Sequence, residues 1–249
     1  MKLDRVIAVR NAKTVYRDGD RCIKVFNADY SKSDVLNEAL NQARVEEIGL
    51  PVPRVLEVTV LDGKWAIVYE YIKGKSLDRM MAEEPDRREE YLSLLVDLQI
   101  KVLEKTCPEL VKLKDSVGRR IIDADLDATT RYDLHTRLAS MPKHHKICHG
   151  DFNPSNIIIN KEGVPYILDW SHATQGNASA DVATTYLLFC LKGDADGART
   201  YLDIFCAQSG IDRYYVRRWI PLMAAAMSRN ANEHDRDLLL TWVNAIDFE

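Results

Sequence analysis

Two short apolar runs, Ile157-Ile158-Ile159 and the stretch 164–168, are separated by Lys161-Glu162-Gly163. Runs this short, rich in branched aliphatic residues and divided by a glycine-bearing turn, read as the two strands of a β-hairpin. Asn156 leads directly into the first run and the second leads directly into Asp169, which brings both polar side chains close to one end of the hairpin. Asp151 stands five residues upstream of Asn156, within HGDFNPSNIII at 149–159, and ILDW at 167–170 closes the pattern.

An amide oxygen and a carboxylate at the same hairpin end are hard oxygen donors suited to Mg²⁺. That ion keeps several waters and the phosphates of a nucleotide in its shell and needs few protein ligands. Transfer of a γ-phosphoryl group asks the protein for positioning, charge neutralisation and one carboxylate to accept the proton of the attacking hydroxyl. Asp151 fits the base, and Asn156 and Asp169 fit the metal ligands. Taken singly, each residue is more often turn punctuation or a strand-end cap than a catalytic group; the order and spacing of all three carry the reading.

The pattern resembles the catalytic loop and metal-binding segment of the aminoglycoside phosphotransferase and choline kinase family, which has a protein-kinase-like fold. The resemblance implies an α+β architecture of two lobes: residues 1–73 as a small antiparallel-sheet lobe with one helix, binding nucleotide, and 74–249 as a larger, mostly helical lobe for catalysis and substrate. It implies ATP and Mg²⁺ as cofactors, Asp151 as catalytic base, Asn156 and Asp169 as metal ligands, His149 as a brace of the loop, and Asp181, within GNASADVA at 176–183, as its anchor from below. Asn177 stands in that segment where the family usually has an Asp, and a plain helix N-cap is an alternative role for Asp181.

The same resemblance requires a strand lysine on the nucleotide phosphates and a helix glutamate to hold it. Residues 14–17 and 21–26 flank Asp18-Gly19-Asp20 as strand, turn and strand, and Lys24 alternates with Ile23 and Val25, so it faces the other side of the sheet. Residues 31–48 have helical spacing at Leu36, Leu40 and Ala43 and stop at Gly49, before Pro51 and Pro53. Glu38 in the first half matches the family glutamate; Glu46 and Glu47 are the alternatives. Backbone around Glu70 to Ile72, after the strand 64–71, matches the hinge that receives adenine. The chain departs from the kinase pattern at its first turn, where 10–14 contain no glycine, so Lys13 or the backbone of 11–14 is expected to cover the phosphates.

Helices are expected at 87–105, 128–140, 181–191, 198–209, 212–229 and 233–245. A net charge of −4 disfavours nucleic acid as a partner. Five cysteines without a CxxC pair fit reduced thiols and a cytoplasmic location, and no apolar run is long enough to span a bilayer. Asn153 occupies the position where protein kinases have a lysine, and Asp181 follows Asp169 by only twelve residues, leaving little room for a peptide platform. The expected acceptor is therefore a hydroxyl of a small molecule: an aminoglycoside, for which acidic clusters at 123–127, 233–237 and 247–249 are candidates, or a choline-like amino alcohol held by aromatics such as Trp170, Tyr214, Tyr215, Trp219 and Trp242. The alternative is a pseudokinase acting as a nucleotide-binding or interaction module. Oligomeric state is left open.

Overall fold

The structure, a computed structural model, describes residues 3, 5–10 and 12–244. It comprises two compact units, Met1–Glu83 with Pro154–His172 and Glu84–Asn153 with Ala173–Glu249. Asn11, Ala245 and the acidic stretch 247–249 named above lie outside the described residues.

The first unit is built on strands β1 (Arg5–Arg10), β2 (Lys13–Asp18), β3 (Arg21–Phe26), β4 (Val55–Leu61) and β5 (Lys64–Glu70), with helix α1 (Lys32–Glu47) between β3 and β4. The strands form an antiparallel sheet in the order β1-β2-β3-β5-β4. Asp62-Gly63 closes the β4–β5 hairpin with both residues at positive φ, 49° and 77°, the backbone that matches the twist of adjoining strands. Alternation along β3 and β5 gives the sheet two differently packed faces. Ile23, Val25, Ala66 and Val68 cluster on one, while Phe26, Ile67 and Tyr69 pack with Val35 and Ala39 of α1 on the other.

Helix α1 is turned differently from the expected spacing. Leu36 and Leu40 are 42% and 49% exposed, and the buried stripe is Val35, Glu38, Ala39, Asn41, Gln42 and Val45. Half of that stripe is polar because each polar member has an internal partner: Glu38 meets Lys24, Asn41 donates to the carbonyl of Trp170 at 3.3 Å, and Gln42 donates to that of Pro53 at 2.8 Å. Periodicity of apolar residues cannot reveal such a face.

Beyond β5 the chain adds strand β6 (Gly74–Ser76) and helix α2 (Leu77–Glu83), then passes through α3 (Arg88–Leu103), α4 (Leu113–Asp123), α5 (Ala128–Ser140) and β7 (Lys146–Cys148) of the second unit. It returns to the first unit in the hairpin β8 (Ile157–Asn160) and β9 (Pro165–Ile167), where β6, β8 and β9 form a three-stranded sheet. Leu168 N–H donates to the carbonyl of Asn156 at 2.8 Å, closing the hairpin end on which both polar residues stand. A Cβ at Gly74 would overlap the backbone carbonyl of Ile159, so close strand approach requires glycine there.

The second unit continues with β10 (Thr174–Gly176), paired antiparallel with β7, and helices α6 (Ala178–Leu191), α7 (Ala195–Ser209), α8 (Arg213–Arg217), α9 (Ile220–Ser228) and α10 (Glu233–Asn244). α9 is apolar nearly all round and buried along its length. The single helix expected over 212–229 is interrupted between Arg217 and Ile220, with Pro221 in the first turn of α9, where its missing N–H costs nothing. α4 was not anticipated; its buried positions Leu113, Val117 and Ile121 stand four apart among charged neighbours and Gly118. The five cysteines are all free, and no described helix is long and apolar enough to cross a membrane.

Candidate active site

Strand register brings the first group of charged residues together. Lys13 lies opposite Phe26 and Val15 opposite Lys24, so both lysines stand on the sheet face that α1 covers, one diagonal step apart. Lys24 forms an ion pair with Glu38 Oε1 and lies 3.4 Å from Asp169 Oδ1. Lys13 Nζ lies 2.9 Å from Asp169 Oδ2 and 3.9 Å from Glu38 Oε2. Two cations and two carboxylates therefore balance. Burial works against the Lys24 charge, but Asp169 and then Glu38 outweigh it and hold the ammonium well above its usual range.

Asp169 has φ of 62°, a left-handed backbone that Asp tolerates better than most residues, and Ser171 Oγ donates to its Oδ1 at 3.1 Å. Tyr69 Oη donates to Glu38 Oε1 at 3.1 Å, and burial keeps this phenol protonated far above neutrality. These groups border a cavity of about 300 Å³ within the first unit, lined by Lys13, Lys24, Ile72, Asn156 and Asp169. Asn156 and Asp169 thus present hard oxygen donors to one space, a donor set that fits a magnesium ion. At the cavity rim, the N–H groups of Glu70 and Tyr71 are already donated to the carbonyls of Arg54 and Asp20, and the Glu70 carboxylate pairs with Arg54 at 3.0 Å.

The second unit holds the loop that contains Asp151. His149 is fully buried, and its Nδ1 accepts the N–H of Asp151 at 3.1 Å while its ring meets Phe152 edge-on at 5.7 Å. Asn153 Nδ2 donates to Asp151 Oδ1 at 2.9 Å and to its carbonyl at 3.0 Å, fixing the carboxylate against its own turn. Below the loop, buried Asp181 accepts the N–H of Gly150 at 2.7 Å and Gln99 Nε2 at 3.0 Å. Burial raises the Asp181 carboxyl above its usual value, although His149 and these donors pull the other way.

Tyr69, Gln99 and Ser171 were not picked out from sequence, and Asn153 was noted only as a missing lysine. Tyr69 had one readable signal: it lies two residues from Ile67, the cross-strand neighbour of Lys24, and so shares the lysine's face. Two acidic clusters have structural work: Asp127 caps α5 through Thr129 and Thr130, Asp123 pairs with Arg229 at 3.2 Å, and Asp235 bonds Asn232. Among the aromatics, Trp170 and Trp219 are wholly buried, and Trp242 stacks edge-on against Tyr186.

A kinase-type lysine–glutamate pair beside an Asn/Asp oxygen set, on a protein-kinase-like α+β fold, defines a phosphotransferase. Residues 8–219 match the model of the phosphotransferase enzyme family (APH), and the chain belongs to that family. Among solved structures it is similar to aminoglycoside phosphotransferase APH(4)-Ia, with a TM-score of 0.71 at 14% identity over 97% of this chain and 91% of that one. Aminoglycoside-3′-phosphotransferase of type VIII gives 0.68 at 17% identity over 89% and 93%, and choline kinase LicA from Streptococcus pneumoniae gives 0.64 at 14% over 98% and 95%. Among curated proteins there is no significant sequence match.

Proposed function

We propose that the protein transfers the γ-phosphate of ATP, in the presence of Mg²⁺, to a hydroxyl of a small molecule. The observation that carries this reading is the balanced set of Lys13, Lys24, Glu38 and Asp169 around one cavity that Asn156 also lines. Lys24, held by Glu38, neutralises the inner phosphates, and Lys13 takes the part that a glycine-rich loop plays in protein kinases. Asn156 and Asp169 hold the magnesium ion, which when bound supplies charge neutralisation to the phosphates. Ile72 and the chain around Glu70 border the adenine. Asp151, oriented by Asn153 and braced by His149, accepts the acceptor's proton, while Asp181 keeps the loop in place. In this assignment residues 1–73 serve the nucleotide and 74–249 the acceptor, and the protein works in the cytoplasm.

Support for the nucleotide comes from thermostable mutants of APH(4)-Ia, which have been captured in ternary complexes with AMP-PNP and hygromycin B and with ADP and hygromycin B. Aminoglycosides and amino alcohols such as choline are the first acceptors to test. A ³²P-transfer screen from ATP over aminoglycosides, choline, ethanolamine, thiamine, sugars and a generic protein decides the acceptor class; labelling of the protein alone would overturn the small-molecule reading. Asp151→Asn should lower transfer by about 10²-fold or more while nucleotide still shifts the melting temperature, since a general base contributes about 10²–10⁴-fold. Unchanged turnover in that variant removes Asp151 from the role of base.

A further inference from the structure

A second cavity, of about 390 Å³, lies wholly within the second unit. Its rim carries Lys112 and Lys114 from the start of α4 and Lys143, His144 and His145 from the connection between α5 and β7. Asp115 is the acidic residue on this rim. A chain with a net charge of −4 has thus gathered three lysines around one concavity. Lys114 Nζ is held by the carbonyls of Ala139, at 3.0 Å, and Met141 rather than by a carboxylate. Burial and then the charge of Lys143 push its ammonium below the usual range.

Two further features point the same way. α4 begins at this cavity without a side-chain cap, and the positive end of its dipole adds to the lysine charge. Trp219 lines the cavity, is fully buried, and its indole N–H finds no acceptor among the described protein groups. An orphaned buried donor beside three lysines that a single Asp115 does not balance calls for an acceptor that carries negative charge.

We propose that this cavity binds a phosphate group, carried by a small phosphomonoester or by free orthophosphate. Its volume falls in the range of small-molecule sites and exceeds what a bare ion fills, and Leu113 and Pro142 offer apolar wall to an organic portion. The cavity is also tied to the catalytic loop. Asn177 lines it, accepts Cys148 Sγ–H on its carbonyl at 3.4 Å and caps α6, the helix whose Asp181 holds Gly150. A phosphate ligand therefore braces the β7–β10 pair on which His149 to Asp151 are mounted.

The test is calorimetric titration of the full chain with orthophosphate, glucose 6-phosphate and, as the uncharged control, glucose. Saturable binding of a phosphate but not of glucose is expected, and tighter binding of the ester than of orthophosphate identifies the ester as the ligand class. Lys112→Gln/Lys143→Gln/His145→Gln, all at exposed positions, should weaken it at least tenfold. Trp219→Phe, which removes the N–H and keeps a ring, should weaken it about threefold or more and carries the test if the triple variant fails to fold. Lys24→Met, which disables the nucleotide cavity, should leave it unchanged. Absence of phosphate binding, full affinity in the Trp219 and triple variants, or loss only with Lys24→Met overturns the proposal.

Discussion

Replacing Tyr69 with Phe isolates the support of the Lys24–Glu38 pair. The Tyr69 hydroxyl donates to Glu38 Oε1 at 3.1 Å, where Lys24 also binds, and Glu38 Oε2 is buried without a hydrogen-bond partner, with Lys13 Nζ 3.9 Å away. Phenylalanine keeps the ring against Phe26 and Ile67, so no large cavity opens and the loss is that of one buried hydrogen bond to a charged acceptor. Such bonds contribute about 1.5–3 kcal/mol. If the full amount is expressed in folding, the equilibrium falls about 10- to 150-fold. The measurement is a double-mutant cycle in urea with Glu38→Gln, whose neutral amide should cut the effect of Tyr69→Phe to roughly 0.5–1.5 kcal/mol, the range of uncharged bonds. A cost below about 0.5 kcal/mol, or an equal cost in both backgrounds, would show that Tyr69 does not hold Glu38.

Three other outcomes are expected. Cys22 lines the cavity of the first unit with its thiol raised to about 11 by burial, against an opposing pull from Lys24. At pH 8 its thiolate is then about one part in a thousand, and alkylation followed by mass spectrometry should accelerate about tenfold per pH unit up to that value; a plateau below pH 9 contradicts it. Gly74→Ala should destabilise the first unit by ~1–3 kcal/mol through the clash with the Ile159 carbonyl, read as an earlier urea midpoint. Asp181 has a folded-state pKa above its unfolded one, so its favourable contribution is complete below about 3.8 and is lost as pH rises through the folded value. Asp181→Asn should flatten the fall of stability with pH in that window, and an unaltered slope refutes the assignment.

The elements that sequence made legible are those whose periodicity or punctuation is local. The β8–β9 hairpin, the Gly19 turn, α3 and the limits of α5 follow from apolar spacing and turn residues. The burying face of α1 was hidden because Glu38, Asn41 and Gln42 have partners distant in the chain. α4 carried a readable stripe, since Leu113, Val117 and Ile121 repeat every four residues, but the helix is short and its other positions are mostly charged or small. In the site, residue type and spacing pointed to Asn156 and Asp169 and the family resemblance to Lys24, but the contacts of Tyr69, Asn153 and Gln99 depend on who faces whom across strands and helices. Nothing along the chain records that.

The pairing of Lys13 and Lys24 with Asp169 and Glu38 makes anion uptake in the first unit an exchange of partners rather than a filling of vacant charge. A bare anion has to compete with carboxylates already seated on both lysines, whereas a phosphate chain arriving with its own divalent cation offers Asp169 a replacement. Affinity for such a ligand should vary less steeply with ionic strength than two open lysines would dictate, because few counterions are released. The same exchange makes this cavity a poor scavenger of free phosphate and sulfate, and so reserves it for anions that bring a divalent cation with them.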